Sequence, residues 1–309
     1  MKRTERYMRM RDGHEAFVVT YRPSKGVRGY VHLCHGMAEH SGRYDRFCRI
    51  LARIGYFVSI HDHRGHGRSV KEGGTYGYFA DEDGFGRVVE DLHAILTTLR
   101  LEFELPRPIL FGHSMGSFVV RRYIQLYSEA VEAVVLSGTG VATALHAAGH
   151  RLAKLLVKKY GAKAEAHLMN DFSFGSFNKR IPNPKTAFDW LTRDHHSVQT
   201  YMDDPLCGFV STNQFFVDLT GGLLLISQDR EVAKIRKDLP VLFISGNKDP
   251  VGGDNASGVF AVASQMERAG MARVAIFIFE RMRHEVLNER NKEYVYEVIT
   301  RWLKNEQKI

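Results

Sequence analysis

The sequence predicts an α/β protein: an eight-stranded, mostly parallel sheet with helices on both faces and an inserted helical cap. Three observations carry this prediction. Short apolar runs of strand length alternate with stretches of helical periodicity. That alternation stops between residues 141 and 235. And 309 residues of ordinary globular composition, 44% hydrophobic and 25% charged, suffice for one large core. Residues 1–140 and 236–309 are therefore assigned to the core domain, and residues 141–235 to an inserted cap over the sheet's C-terminal edge.

The elements follow in order. Residues 6–22 hold two β-like runs around Asp12-Gly13, which suits the tight turn of an antiparallel hairpin. A strand at Tyr30–Cys34 comes next, then a helix with Tyr44, Phe47, Cys48 and Leu51 on one face, then a strand at Tyr56–Ile60. Phe85, Val88, Val89, Leu92, Ile95, Leu96 and Leu99 space a helix buried on one side. Further strands fall at Pro108–Phe111, Ala133–Leu136, Val241–Ile244 and Val274–Ile278, and a last helix carries Val295, Val298, Ile299, Trp302 and Leu303.

Composition narrows the function classes. The basic N-terminus, Met1 to Arg6, is followed by no apolar signal region, and no run has the length of a membrane span. Cys34, Cys48 and Cys207 form an odd set without C-x-x-C spacing, so reduced thiols in a cytoplasmic protein are expected. The net charge of +8 is scattered, which argues against a nucleic-acid partner. Arg151, Lys154, Lys158, Lys159 and Lys163 share a segment with Leu152, Leu155 and Leu156. That segment reads first as a solvated helix face and second as a transient membrane-surface contact through the cap.

Gly112-His113-Ser114-Met115-Gly116 matches G-x-S-x-G between a strand and a helical pattern, the setting of a nucleophile elbow. A serine hydroxyl needs a base to take its proton, and the base needs an acid to orient it. His284, past the last strand, and Asp249, in Gly246-Asn247-Lys248-Asp249-Pro250-Val251, both fall in loops at the edge that carries Ser114. The order Ser114, Asp249, His284 is that of one hydrolase architecture and not of the chymotrypsin or subtilisin types. The backbone N–H groups of Met115 and Met37 are the candidate oxyanion donors. His61-Asp62-His63-Arg64-Gly65-His66-Gly67 invites a metal, but neighbouring side chains on an extended segment diverge and the glycines signal a turn. A structural loop is favoured, and neither metal nor organic cofactor is expected.

With these motifs in place, the chain resembles the monoacylglycerol lipase and lysophospholipase branch of the α/β-hydrolases along nearly its whole length. The resemblance rests on His35-Gly36-Met37-Ala38-Glu39-His40-Ser41-Gly42-Arg43-Tyr44, on Asp62 to Ser69, on Gly112 to Gly116, on Gly246 to Val251 and on Tyr201-Met202-Asp203-Asp204-Pro205-Leu206-Cys207. It implies the α/β-hydrolase fold, oxyanion donors at Met37 and Met115, and a polar head-group region at Glu39, Arg43 and Tyr201. From the residues alone, Glu39 and Arg43 read equally as a structural ion pair, and Tyr201 as packing. The cap stretch from Phe172 through Phe177 to Phe188-Asp189-Trp190 departs from the best-known monoacylglycerol lipases and looks like a bacterial subset.

The resulting expectation is a serine hydrolase that cleaves carboxylic esters with an apolar acyl chain, through an acyl-enzyme on Ser114, with a small-molecule ester or lipid as substrate. Two alternatives stand beside it. An aminopeptidase or amidase would use Asp194, Asp203 and Asp204 to bind a free amino terminus, and a ligand sensor would keep the fold without turnover. A serine at the elbow disfavours the aspartate-nucleophile dehalogenases and epoxide hydrolases.

Overall fold

β1 (Lys2–Arg9) and β2 (Glu15–Arg22) form the expected hairpin, with Gly13 at φ 86° in the turn between them. The computed structural model describes residues 1–306, apart from the side chains of Phe174 and Arg180. β3 (Gly29–Cys34), α1 (Asp45–Arg53), β4 (Tyr56–His61), α2 (Gly84–Phe103), β5 (Pro108–His113), α3 (Met115–Tyr127) and β6 (Ala133–Ser137) follow. Between β6 and the next strand lie α4 (Ala144–Tyr160), α5 (His167–Phe174), α6 (His195–Asp203), α7 (Asn213–Ile226) and α8 (Asp229–Val232). β7 (Val241–Gly246), α9 (Ser257–Arg268), β8 (Val274–Phe279) and α10 (Lys292–Glu306) complete the chain.

The strands form one sheet in the order β1-β2-β4-β3-β5-β6-β7-β8. β1 with β2 and β2 with β4 are antiparallel, and the other pairs are parallel. Strand alternation sorts the core into two layers. Tyr30, Leu110, Val134, Leu136, Val241 and Phe243 point to the face covered by α2, α3, α7 and α9. Val31, Leu33, Ile109, Phe111, Val135 and Leu242 point to the face covered by α1 and α10. Burial on both faces explains why these strands read as continuous apolar runs.

β3 sits between β4 and β5, so the direction of strand order reverses beside it. Loops leaving β3 and β5 therefore diverge to opposite faces and leave a crevice at the sheet's C-terminal edge, the usual ligand position in open α/β sheets. Cys34 pairs with Gly112 in register, so His35-Gly36-Met37 and Ser114 emerge side by side.

The segment after β6 is helical, as its lost alternation predicts. Thr143 and His146 form a capping box at the start of α4, Asp194 caps α6 and Thr212 caps α7. α4 packs on α7, and α7 in turn packs on α2 and α3, its Phe215, Phe216, Leu223 and Ile226 joining the core. A small separate cluster of Ile181, Trp190, Leu191 and Tyr201 covers the crevice.

Candidate active site

Ser114 occupies the turn between β5 and α3 at φ 51°, ψ −119°, a strained conformation for a residue with a Cβ. The fold holds it there from several sides. Its N–H donates to the Ser137 carbonyl at 2.9 Å, and its carbonyl accepts from Ser117 N–H at 2.9 Å and Ser117 Oγ at 2.5 Å. The flanking glycines are obligatory on steric grounds: a Cβ on Gly112 would lie 2.6 Å from the Gly116 carbonyl oxygen, and one on Gly116 would overlap the Cys34 and His35 carbonyls. Ser114 keeps partial exposure among buried neighbours.

Asp249 and His284 arrive from loops after β7 and β8. His284 Nδ1 lies 2.9 Å from Asp249 Oδ1, and both side chains are buried. Val251 N–H donates to the same carboxylate oxygen at 2.9 Å, and Ser245 Oγ approaches the other at 3.4 Å. The Nδ1 contact with a carboxylate puts the ring proton on Nδ1 and leaves Nε2 as the basic nitrogen. Burial pulls the His284 pKa down, but the Asp249 carboxylate, assisted by Glu285 and Glu39, outweighs it and raises the value above 6.5. The ring is walled by Trp190 and His113, with centroids 5.1 Å and 4.7 Å away.

A cavity of about 260 Å³ brings these parts together: Ser114, His284, Gly36, Met37, Glu39 and Tyr201 all line it. A Cβ placed on Gly36 would fall 3.3 Å from Ser114 Cβ, which measures how closely the β3 loop passes the serine. Met115 opens α3, so its N–H has no intrahelical acceptor. Among the described residues neither Met115 N–H nor Met37 N–H has a protein acceptor. Phe188, Trp190, Leu191 and Phe209, all from the segment between β6 and β7, supply apolar walls.

Glu39, Arg43 and Tyr201 also meet here: Glu39 and Arg43 form the structural ion pair that the residues alone allowed, and Glu285, which the sequence did not single out, extends it into a network. Glu39 is 2% exposed and accepts from Gly36 N–H at 2.5 Å, Tyr44 Oη at 2.7 Å and Arg43 Nη1 at 2.7 Å. Arg43 grips Glu285 bidentately at 2.5 and 2.7 Å and stacks its guanidinium 4.8 Å from the Tyr201 ring. Arg43 is thus paired with two carboxylates and is not among the residues lining the cavity. Tyr201 Oη donates to the Ala38 carbonyl at 3.0 Å. Glu285 and Trp190 are the residues that sequence reasoning missed; only the position of Glu285 beside His284 hinted at its importance.

Other sequence candidates lie elsewhere. Asp194 caps α6, Asp203 accepts from Gln199 Nε2 at 2.7 Å, and Asp204 faces His40 at 2.8 Å, so none of the three lines the cavity. In the His61–Gly67 segment, Asp62 accepts Ser41 N–H and Arg68 N–H at 2.7 Å each. Gly65 and Gly67 adopt φ of 69° and 49° there. The Asp62 carboxylate thereby ties the segment after β3 to the segment after β4.

Residues 25–291 match the family model described as serine aminopeptidase, S33. A monoacylglycerol lipase of Mycolicibacterium smegmatis is 30% identical over 91% of this chain and 90% of its own. A monoglyceride lipase of Rattus norvegicus is 28% identical over 77% of this chain and 71% of its own. The crystal structure of a thermostable carboxyl esterase from Bacillus coagulans, solved with glycerol, superposes with a TM-score of 0.92 at 26% identity, covering 99% of both chains. The chain therefore belongs to the α/β-hydrolases of the serine aminopeptidase S33 family, in the branch that holds the monoacylglycerol lipases.

Proposed function

We propose that this chain hydrolyses carboxylic esters with apolar acyl chains, of the monoacylglycerol or lysophospholipid class, with Ser114 as nucleophile, His284 as general base and Asp249 orienting the histidine. The observation that carries this reading is convergence: a strained, partly exposed serine and a carboxylate-held imidazole line one cavity. Ser114 Oγ attacks the ester carbonyl while His284 Nε2 takes its proton. Charge growing on the substrate oxygen meets the N–H groups of Met37 and Met115, each worth roughly 2.7–4 kcal/mol to the transition state. His284 then hands its proton to the departing alcohol, and a water activated by the same nitrogen releases the acid. The apolar walls at Phe188, Leu191 and Phe209 suit the acyl chain, and Glu39 and Tyr201 the alcohol.

Residues 141–235 act as a cap in this reading. Leu145, Leu155, Leu168 and Phe172 are exposed on α4 and α5 beside the basic residues of α4, which supports transient contact with an anionic lipid surface. No helix among the described residues is long and apolar enough to cross a membrane. Cosedimentation with phosphatidylglycerol vesicles, lost in Leu155→Asp, tests that contact.

The family's description keeps an aminopeptidase reading in view, yet Asp194, Asp203 and Asp204 do not reach the cavity. One experiment separates the possibilities. Monoacylglycerols, lysophospholipids, p-nitrophenyl esters and aminoacyl p-nitroanilides are assayed side by side with wild type and Ser114→Ala. Ester turnover that vanishes in the folded variant supports the proposal. Preferential turnover of the anilides sinks it, and failure to label with a fluorophosphonate probe favours a ligand sensor.

A further inference from the structure

Outside the catalytic constellation, one side-chain cluster combines ligand chemistry with a seam between core and cap. His40 belongs to the core loop after β3, whereas Asp204 and Cys207 belong to the cap loop after α6. An imidazole nitrogen, a carboxylate oxygen and the thiol sulfur of these residues all lie within 4.8 Å of one another. His40 Nε2 already faces Asp204 Oδ2 at 2.8 Å, and these two side chains are 14% and 28% exposed, so solutes reach them.

We propose that His40, Asp204 and Cys207 form a binding site for a divalent metal of the zinc class, which clamps the cap loop to the core beside the mouth of the cavity. One nitrogen, one oxygen and one sulfur donor suit zinc or cobalt and not magnesium or calcium, which take oxygen ligands. Charge favours the same ion. A carboxylate and a thiolate offset two positive charges; burial, opposed by Arg43 and joined by Glu39, Asp204 and Glu285, holds the Cys207 thiol well above its ordinary pKa, so the ion binds by displacing that proton. The metal takes the place of the proton between His40 Nε2 and Asp204, with water at the fourth position.

The site has a built-in cost. His40 Nδ1 accepts from Gly42 N–H at 3.2 Å, and a metal on Nε2 moves the ring proton to Nδ1 and ends that contact. Affinity therefore falls below that of a closed structural zinc site, which fits reversible occupancy. The consequence lies next door. Ala38 carbonyl accepts both Tyr201 Oη at 3.0 Å and Gly208 N–H at 2.9 Å, and all three residues line the cavity. A metal between residues 40 and 204–207 stiffens this seam and slows substrate passage without touching Ser114 or His284.

Purified wild type, Cys207→Ser and His40→Gln are titrated with Co²⁺ and Zn²⁺, with circular dichroism to check folding. The expected result is one Co²⁺ per chain with a sulfur-to-cobalt charge-transfer band in wild type. That band is absent in Cys207→Ser, and either variant weakens binding by more than about 100-fold. Zn²⁺ slows ester turnover of wild type and leaves that of Cys207→Ser unchanged. Co²⁺ binding to wild type without the sulfur band overturns the proposal. Equal affinity in the variants, or Zn²⁺ inhibition that persists in Cys207→Ser, does the same. Should His40→Gln not fold, Cys207→Ser decides alone.

Discussion

A serine fixed at φ 51° presents its hydroxyl by backbone geometry, so the chemistry depends on what stands opposite it. Asp249→Asn keeps the shape of the His284 contact but favours the wrong tautomer, and kcat should fall by about 10⁴ with folding intact, measured on p-nitrophenyl esters. Glu285→Gln tests the electrostatics. His284 must be neutral to act as base, and its pKa is raised in part by Glu285. Removing that charge lowers the pKa, so the acid limb of the kcat/KM profile should move to lower pH; a shift upward or none contradicts the assignment. Ser114, Asp249 and His284 could be picked out as candidates because each lies in the stretch leaving the C-terminal end of a strand whose apolar run marks it. Glu285 was not, because its partner Arg43 lies 242 positions away, and Trp190 lies 94 positions from the imidazole it covers.

Among elements, the tightest demand falls where α3 leaves β5 and crosses β3. Gly116→Ala pushes a methyl group into the Cys34 and His35 carbonyls, which belong to a central strand and its exit and cannot move aside. Urea denaturation should register a loss of about 1–3 kcal/mol, or soluble protein should not accumulate. The segment between β6 and β7 is tied to the His284 loop by polar contacts: Arg283 Nη1 donates to the carbonyls of Asp189 and Thr192 at 2.6 and 3.1 Å. Arg283→Ala strips both, at about 1–3 kcal/mol for each carbonyl left without a partner, and limited proteolysis should then cut faster within residues 181–194. The helices between β6 and β7 were visible only as lost alternation, since their ends depend on Thr143, Asp194 and Thr212 meeting local backbone and their packing on distant α2 and α3.

At the scale of the molecule, the sheet was readable because burial on both faces makes each parallel strand a plain apolar run, whereas strand order is set by pairings between runs far apart in the chain. A second global property lies in the buried histidines. Burial, reinforced by neighbouring imidazoles for most of them, pushes His32 and His66 down to about 3 and His35 and His113 to about 4, with His61 and His63 also well below 6.5. Unfolding frees them to take up protons at their ordinary value. Stability is therefore full above pH 6.5 and declines as pH falls toward 4, each group costing up to about 1.4 kcal/mol per pH unit. His284, raised instead, works in the opposite direction but is a single group. Urea midpoints at pH 8, 6.5 and 5.5 should fall steeply over the last interval; a flat profile would refute this. The Ala38 carbonyl carries one more consequence. The oxygen that accepts from both Tyr201 Oη and Gly208 N–H belongs to the residue right after Met37, so any shift of those two partners would tug the backbone beside the N–H proposed as an oxyanion donor.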